Sequence, residues 1–234
     1  MTLNETVCMI KALIFDLNGV LVDDEPVHFR MFQRVLRGEG IALTKRGYYR
    51  LYLGMNDKDC FTTALKKQGI KPTPAKIRVL VLKKGRWYRA FIAKHLIFFP
   101  GACDFVRRAA GKYPLAIASG ALRSEIRYIL RKGHLAKYFS VIVAAEDVRN
   151  GKPHPDGFLR AMKMLNKRLA LHLRPKECLV IEDSLEGIEA AKRAGMCCLA
   201  LATSYPSSKL KAANLVAKNY RRIKLQNLET LDTV

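Results

Sequence analysis

Asp16, Ser119, Lys152, Glu182 and Asp183 are the residues whose types could combine into chemistry. Asp16, Ser119-Gly120 and Glu182-Asp183 each follow a short apolar run, at 9–15, 115–118 and 179–181. Lys152 stands between Gly151 and the prolines Pro153 and Pro155, a stiff extended loop that fixes its direction and sets it apart from the other members of a set of 42 basic residues. Carboxylates gathered at one point repel unless a cation binds them, and hard oxygen ligands suit Mg²⁺. A lysine with a hydroxyl suits an anion. Cation, anion and spare carboxylate together describe a phosphoryl-transfer site, where positioning and charge neutralisation carry most of the catalysis. Asp-x-Asn-Gly at 16–19 also makes a good turn, because Asn and Gly tolerate positive φ.

The elements around these residues favour the chemical reading. Met9, Ile10 and Ala12 to Phe15 form an apolar stretch without in-out alternation, as expected of a parallel strand covered on both faces. Runs at 115–118, 141–145 and 179–181 read likewise, and helical patterns separate them. Such alternation implies βαβ units whose strand ends lie side by side, at the edge where open α/β sheets bind ligands. The fold class expected is α/β, with a Rossmann-like parallel sheet. Ser184 can cap a helix beginning near Leu185 and ended by Gly195, while the carboxylates before it ligate. His154, between the prolines, reads as solvent-facing.

FDLNGVLVDDE at 15–25, IASGA at 117–121, NGKPHPD at 150–156 and VIEDSLEGIEAAKRAG at 180–195 resemble, in order and spacing, the four motifs of the haloacid dehalogenase-like hydrolases. The likeness spans nearly the whole chain. It is strongest to the subgroup containing β-phosphoglucomutase and the phosphoglycolate-type phosphatases. The resemblance implies that Asp16 is a nucleophile forming an aspartyl-phosphate, that Ser119 and Gly120 hold phosphoryl oxygens, and that Lys152 neutralises nucleophile and phosphate. It also implies Mg²⁺ held by Asp16, the Asn18 backbone carbonyl, Glu182 and Asp183, and a small phosphorylated metabolite as substrate. Dehalogenases of the family lack the metal, so the Glu182-Asp183 pair argues against that activity.

One departure matters. The family's phosphatases and mutases carry a second aspartate two residues after the nucleophile, acting as general acid and then base, and here that position is Asn18. An amide has no proton to exchange near neutral pH. Metal and phosphate binding are therefore expected to survive better than turnover. Asp23, Asp24 or His28 taking over the role, a substitution that traps a complex, and conversion to a catalytically silent phosphoester-binding module all fit Asn18. A β-phosphoglucomutase-type sugar-phosphate mutase is a further alternative.

Between the first and second strands, residues 24–97 read as an inserted helical cap, leaving 1–23 and 98–234 as the α/β core. Phe32, Val35 and Leu36 supply one apolar face, Phe61, Ala64 and Leu65 a second, and Ile77, Val81, Trp87, Tyr88, Phe91 and Ile92 a third. Trp87 and Tyr88 read as core aromatics. His28, Arg50, Gly54, Asn56, Lys58 and Lys84 are the substrate candidates. Where β-phosphoglucomutase has an arginine for a second phosphate, this chain has Asp57, which argues against a bisphosphate.

Composition agrees. With 234 residues, half of them hydrophobic, the chain can bury both a core and a cap. Residues 1–8 read as a short extension without the basic and apolar regions of a signal peptide. No apolar run approaches the ~20 residues that cross a bilayer. A cytoplasmic monomer without a membrane partner is the expectation. The six cysteines, Cys8, Cys60, Cys103, Cys178, Cys197 and Cys198, form no C-x-x-C pair and mostly read as small core residues. The formal net charge is +22, and the cap contributes 17 basic against 5 acidic residues, or +12. The basic residues scatter over polar helix faces without a nucleic-acid-binding pattern. No specific nucleic acid is therefore expected, only weak salt-sensitive attraction.

Overall fold

The structure is a computed structural model that describes residues 8–231, so the expected extension lies, apart from Cys8, outside the described residues. Cys8–Met9 (β1) pairs antiparallel with Thr230–Leu231 (β8) as a separate ribbon. Met9 is 65% exposed, so the apolar run does not begin a buried strand there as expected. The buried strand is Ala12–Phe15 (β2), and it is covered at all four positions.

Two layers of helices explain that burial. Leu13 and Phe15 join a core with Ala102–Ala110 (α5) and Arg123–Lys132 (α6), while Ala12 and Ile14 join an opposite core with Asp156–Leu169 (α7) and Leu185–Arg193 (α8). Successive side chains of a strand point to opposite faces, so both sets must be apolar. The remaining strands are Leu115–Ala118 (β3), Phe139–Val143 (β4), Cys178–Glu182 (β5), Cys197–Leu201 (β6) and Leu215–Ala217 (β7). They complete a six-stranded parallel sheet in the order β4-β3-β2-β5-β6-β7. The apolar run expected to carry β4 to Ala145 leaves the sheet earlier. The strand stops at Val143 because the Ala144 amide turns to donate to the Asp147 carboxylate (2.7 Å).

Register decides where the polar residues emerge. Phe15 is level with Ile117 of β3 and Ile181 of β5, so Asp16, Ser119 and Glu182 leave the sheet at one edge. The Asp16 amide still donates to the Ile181 carbonyl (2.9 Å).

Four helices separate β2 from β3: Glu25–Arg37 (α1), Lys45–Leu51 (α2), Asp57–Lys67 (α3) and Pro74–His95 (α4). Thr44, Asn56 and Thr73 start the last three by accepting a backbone N–H three residues on. Phe32, Val35, Phe61, Leu65, Ile77 and Leu80 pack into a cluster distinct from the sheet cores. The buried face of α4 runs through Ile77, Leu80, Lys84, Tyr88 and Ile92. Val81, Trp87 and Phe91, expected on it, are half-buried, and the Arg34 guanidinium lies 4.0 Å above the Trp87 ring. Tyr88 and Ile92 instead join Val27 and Met31 in the sheet-side core, anchoring the ends of α1 and α4.

At the opposite edge of the sheet, Glu177 ties β2 to β5. Its carboxylate accepts from the Arg174 side chain and backbone and from Lys11 Nζ, and those hydrogen bonds pull it down to about 2. A depressed carboxylate stabilises the fold above the ordinary glutamate range and loses that contribution as pH falls toward 2. The gap in urea midpoint between the wild type and Glu177→Gln should accordingly be constant above pH 5 and close between pH 4.5 and 2. A gap independent of pH would refute this assignment.

No helix among the described residues is long and apolar enough to cross a membrane. Cys60, Cys178, Cys197 and Cys198 are buried and Cys103 half-buried, and burial pushes the Cys178 thiol up to about 12.

Candidate active site

Asp16, Lys152 and Glu182, remote in sequence, meet at the carboxyl edge of the sheet. Lys152 Nζ donates to Asp16 Oδ1 (2.6 Å) and to Glu182 Oε1. Burial pushes Asp16 up to about 6, with Lys152 opposing and Glu182 adding to the rise. For Lys152, burial works against the charge, but the two carboxylates more than offset it and raise its pKa. The lysine is therefore a fixed cation beside a buried carboxylate.

Glu182 and Asp183, expected as a matched pair of metal ligands, have different surroundings. Glu182 is fully buried, and its Oε2 accepts from the amides of Asp183 and Ser184 and from the Ser184 hydroxyl (2.9–3.0 Å). With Oε1 on Lys152, both of its oxygens accept hydrogen bonds from the protein. Ser184 does cap α8, accepting from the Gly187 amide at 3.0 Å. Asp183 is buried too, and its described hydrogen bond comes from Ser204. Burial, then Glu182 and Asp16, hold its pKa well above the carboxylate range. It lies against Gly19, where φ is +72° and a Cβ would stand 2.0 Å from Asp183 Oδ2. Only glycine fits there. Thr203 clamps the same turn by donating to the Gly19 carbonyl (2.6 Å). Neither Ser204 nor Thr203 was picked out from sequence, because nothing local distinguishes them from other loop hydroxyls.

The loop at 54–57 closes over this edge. A Cβ on Gly151 would meet Asn56 Nδ2 at 2.2 Å, one on Gly120 would meet Asn56 Cβ at 3.2 Å, and one on Gly54 would meet Glu186 Oε2 at 2.3 Å. Gly54, Asn56, Ser119, Gly120, Lys152, Asp16, Asn18 and His28 all line one cavity, and Asp183 joins them. Arg50 and Lys58, expected beside the substrate, are exposed and do not line it. The phase of short helix α2 and of the first turn of α3 turns them outward. Lys84 lies behind the wall at 1% exposure. His154 is exposed as expected, yet the residue also borders the cavity.

Asn18 sits in a polar network. Its Nδ2 donates to Asp24 Oδ2 (2.5 Å) and lies 3.4 Å from the Tyr88 hydroxyl, which itself donates to Asp24. Lys84 donates to His28 Nδ1 (2.6 Å), and His28 Nε2 lies 3.1 Å from Asn18 Nδ2 and 3.3 Å from Asp24 Oδ2. Burial and Lys84 depress the His28 pKa, but Asp24 and Glu25 outweigh them and the net shift is upward. Lys84 also pairs with Asp57. Asp24 is only 3% exposed, so the acidic run is no plain solvated loop. Asp23 is exposed and outside this network.

The family model for haloacid dehalogenase-like hydrolases matches residues 10–195. A phosphorylated carbohydrates phosphatase of Thermotoga maritima is 30% identical over 187 residues, covering 80% of this chain and 82% of that protein. Protein CbbY of Rhodobacter capsulatus is 31% identical over 194 residues, covering 80% and 83%. The crystal structure of β-phosphoglucomutase from Clostridium difficile superposes with a TM-score of 0.82 at 24% identity, covering 94% of this chain and 96% of that one, a likeness of fold. Given the matched family model and a Rossmann-like sheet carrying its four motifs along one edge, the chain belongs to the haloacid dehalogenase-like hydrolases and is a phosphatase/phosphomutase-like hydrolase.

Proposed function

We propose that this chain hydrolyses a small phosphorylated, sugar-like metabolite through an aspartyl-phosphate on Asp16, with Mg²⁺ as cofactor and residues 24–97 as the cap that selects the substrate. The observation that carries the reading is Lys152 Nζ held 2.6 Å from a buried Asp16 carboxylate at the edge of the cavity. An Asp16 oxygen attacks phosphorus, the bond from phosphorus to the alcohol oxygen breaks, and the alcohol leaves with a proton. Water then attacks the aspartyl-phosphate and gives up a proton, releasing phosphate and Asp16. Lys152 holds negative charge on nucleophile and phosphoryl group throughout, while the Ser119 hydroxyl and nearby amides receive phosphoryl oxygens.

The donor set fits a hard divalent cation. Asp16 and Asp183 are buried carboxylates, Asp16 helps to raise the Asp183 pKa, and a cation between them would relieve that repulsion. Asp16, Asp183 and the Asn18 carbonyl would hold Mg²⁺, which supplies charge neutralisation to the phosphoryl oxygens. No ready cage of three or more His, Cys, Asp or Glu side chains occurs among the described residues, in keeping with a cation that keeps waters and takes substrate oxygens. Glu182 is read here as the residue that orients Lys152.

Asn18 cannot supply the proton transfer, and His28, backed by Asp24, replaces it only in part, which leaves room for a gain when an acid is restored at position 18. His28 lines the cavity and Asp24 does not. A silent binding module is the second reading, favoured by the Asn18 amide satisfying Asp24 where an acid would normally stand. Screening phosphomonoesters with Mg²⁺ present and absent separates the two, because the module binds without turnover. Asp183→Asn should cost most of the Mg²⁺ affinity by calorimetry and all metal-dependent turnover. Unchanged Mg²⁺ binding in that variant would overturn the ligand assignment.

A further inference from the structure

Another cavity, of about 430 Å³, opens at the carboxyl edge of the sheet beyond β6 and β7. Leu201, the last residue of β6, forms part of its wall together with Phe99 and Pro100, where the chain returns from 24–97 to the core. It shares no lining residue with the cavity at Asp16. Three of its residues nevertheless grip the turn that follows Asp16. The Thr203 hydroxyl donates to the Gly19 carbonyl (2.6 Å), the Tyr220 hydroxyl to the Val20 carbonyl (3.0 Å) and the Phe99 amide to the Leu21 carbonyl (3.0 Å). Three successive carbonyls of the turn are thus held by one wall, and Gly19 on that turn lies against Asp183.

The charge of this cavity has one sign. Lys218 and Arg221 line it, no Asp or Glu does, and no ion pair within 4 Å reaches either cation among the described residues. Lys152 in the catalytic cavity is, by contrast, matched by Asp16 and Glu182. Both Lys218 and Arg221 are exposed, so an anion reaches them without opening the fold. Ligands of open α/β sheets bind at this edge, in clefts with apolar walls and a few placed polar groups. The geometry points to a second ligand site here, for a small organic phosphate whose two negative charges Lys218 and Arg221 match and whose apolar part meets Phe99 and Pro100. Its occupant restrains the groups that hold the Gly19–Leu21 carbonyls, and so acts on the catalytic edge from behind. None of these residues takes part in the proposed hydrolysis, so the site goes beyond that reading and stands or falls apart from it.

Phenylphosphonate, a dianion on an apolar ring that a phosphatase cannot hydrolyse, is the probe. In full-length Lys152→Ala without Mg²⁺, the catalytic edge has neither lysine nor metal to hold it. Calorimetry at physiological salt should still show saturable binding of one equivalent. Adding Lys218→Ala and Arg221→Ala should weaken it roughly 10- to 100-fold, the range expected for loss of charged hydrogen-bond donors. Adding Lys163→Ala and Lys167→Ala instead, an equal loss of exposed charge on α7, should change it no more than about twofold, because distant surface charges are screened. Binding should also slow amide exchange over 17–22 by roughly 5-fold or more, the lower end of common couplings between sites, and this slowing should vanish in the Lys218/Arg221 double variant. Absence of binding in Lys152→Ala, or equal weakening by the two double variants, overturns the site. Binding with unaltered exchange over 17–22 overturns its link to the catalytic turn. Failure of every phosphoester to turn over would sink the hydrolase reading and leave these outcomes unchanged.

Discussion

Asn18→Asp should raise phosphoester turnover by up to ~10²- to 10⁴-fold, the contribution attributed to a positioned general acid-base group. The amide it replaces donates to Asp24 Oδ2 at 2.5 Å. A carboxylate there would stand at hydrogen-bond distance from a second carboxylate, and such a pair must share a proton. That shared proton is the one a leaving alkoxide needs. The backbone carbonyl proposed as a Mg²⁺ ligand is unaltered by the substitution, so metal affinity should stay nearly constant and KM should change little. If His28 already performs the transfer, the wild type turns over well, the gain is small, and His28→Asn or Asp24→Asn removes the starting activity. If neither wild type nor Asn18→Asp turns over any ester that binds saturably, the silent module is the correct reading. Side-by-side steady-state kinetics on the best ester distinguishes the three outcomes.

Asp16→Asn should abolish the covalent phosphoenzyme and lower turnover by at least ~10⁴-fold, because a neutral amide is no nucleophile and nothing else at the edge replaces it. Acid-quenched labelling reads this directly, and label retained by the variant would move the nucleophile elsewhere. The same substitution carries a stability signature of opposite sign. Burial raises Asp16 to about 6, above its ordinary value near 3.8, so the folded protein favours the protonated form. A raised carboxylate costs nothing below pH 4 and costs progressively more as pH climbs through 6. In metal-free buffer, Asp16→Asn should therefore equal the wild type in Tm near pH 4 and exceed it above pH 6. A variant less stable at pH 7 would mean that the Lys152 contact outweighs the burial.

The strand endings that bear Asp16, Ser119 and the Glu182-Asp183 pair were legible in the sequence. Apolar runs buried on both faces have no alternation, and the first polar residue after each must emerge at the sheet edge. The helices of 24–97 were legible through their periodicity, and Ser184 as a cap through its place before α8. Chain order did not reveal that Glu182 turns inward to Lys152 while its neighbour Asp183 rests on Gly19. Adjacent residues at a strand end point in opposite directions, and which one meets the cavity depends on the crossing loops. Lys84, expected beside the substrate, is instead buried between Asp57 and His28, residues 27 and 56 positions away. Arg50 and Lys58 looked equally suited to an anion and face solvent. Asn18 was visible as a departure, but its bonds to Asp24, His28 and Tyr88 join the first turn to α1 and α4. Periodicity and local capping are written within a few residues, so sequence alone determined the elements and the chemistry available at their ends. Partners brought together from distant segments are chosen by packing, and only the tertiary structure decided which charges are matched and which side chains border the cavity.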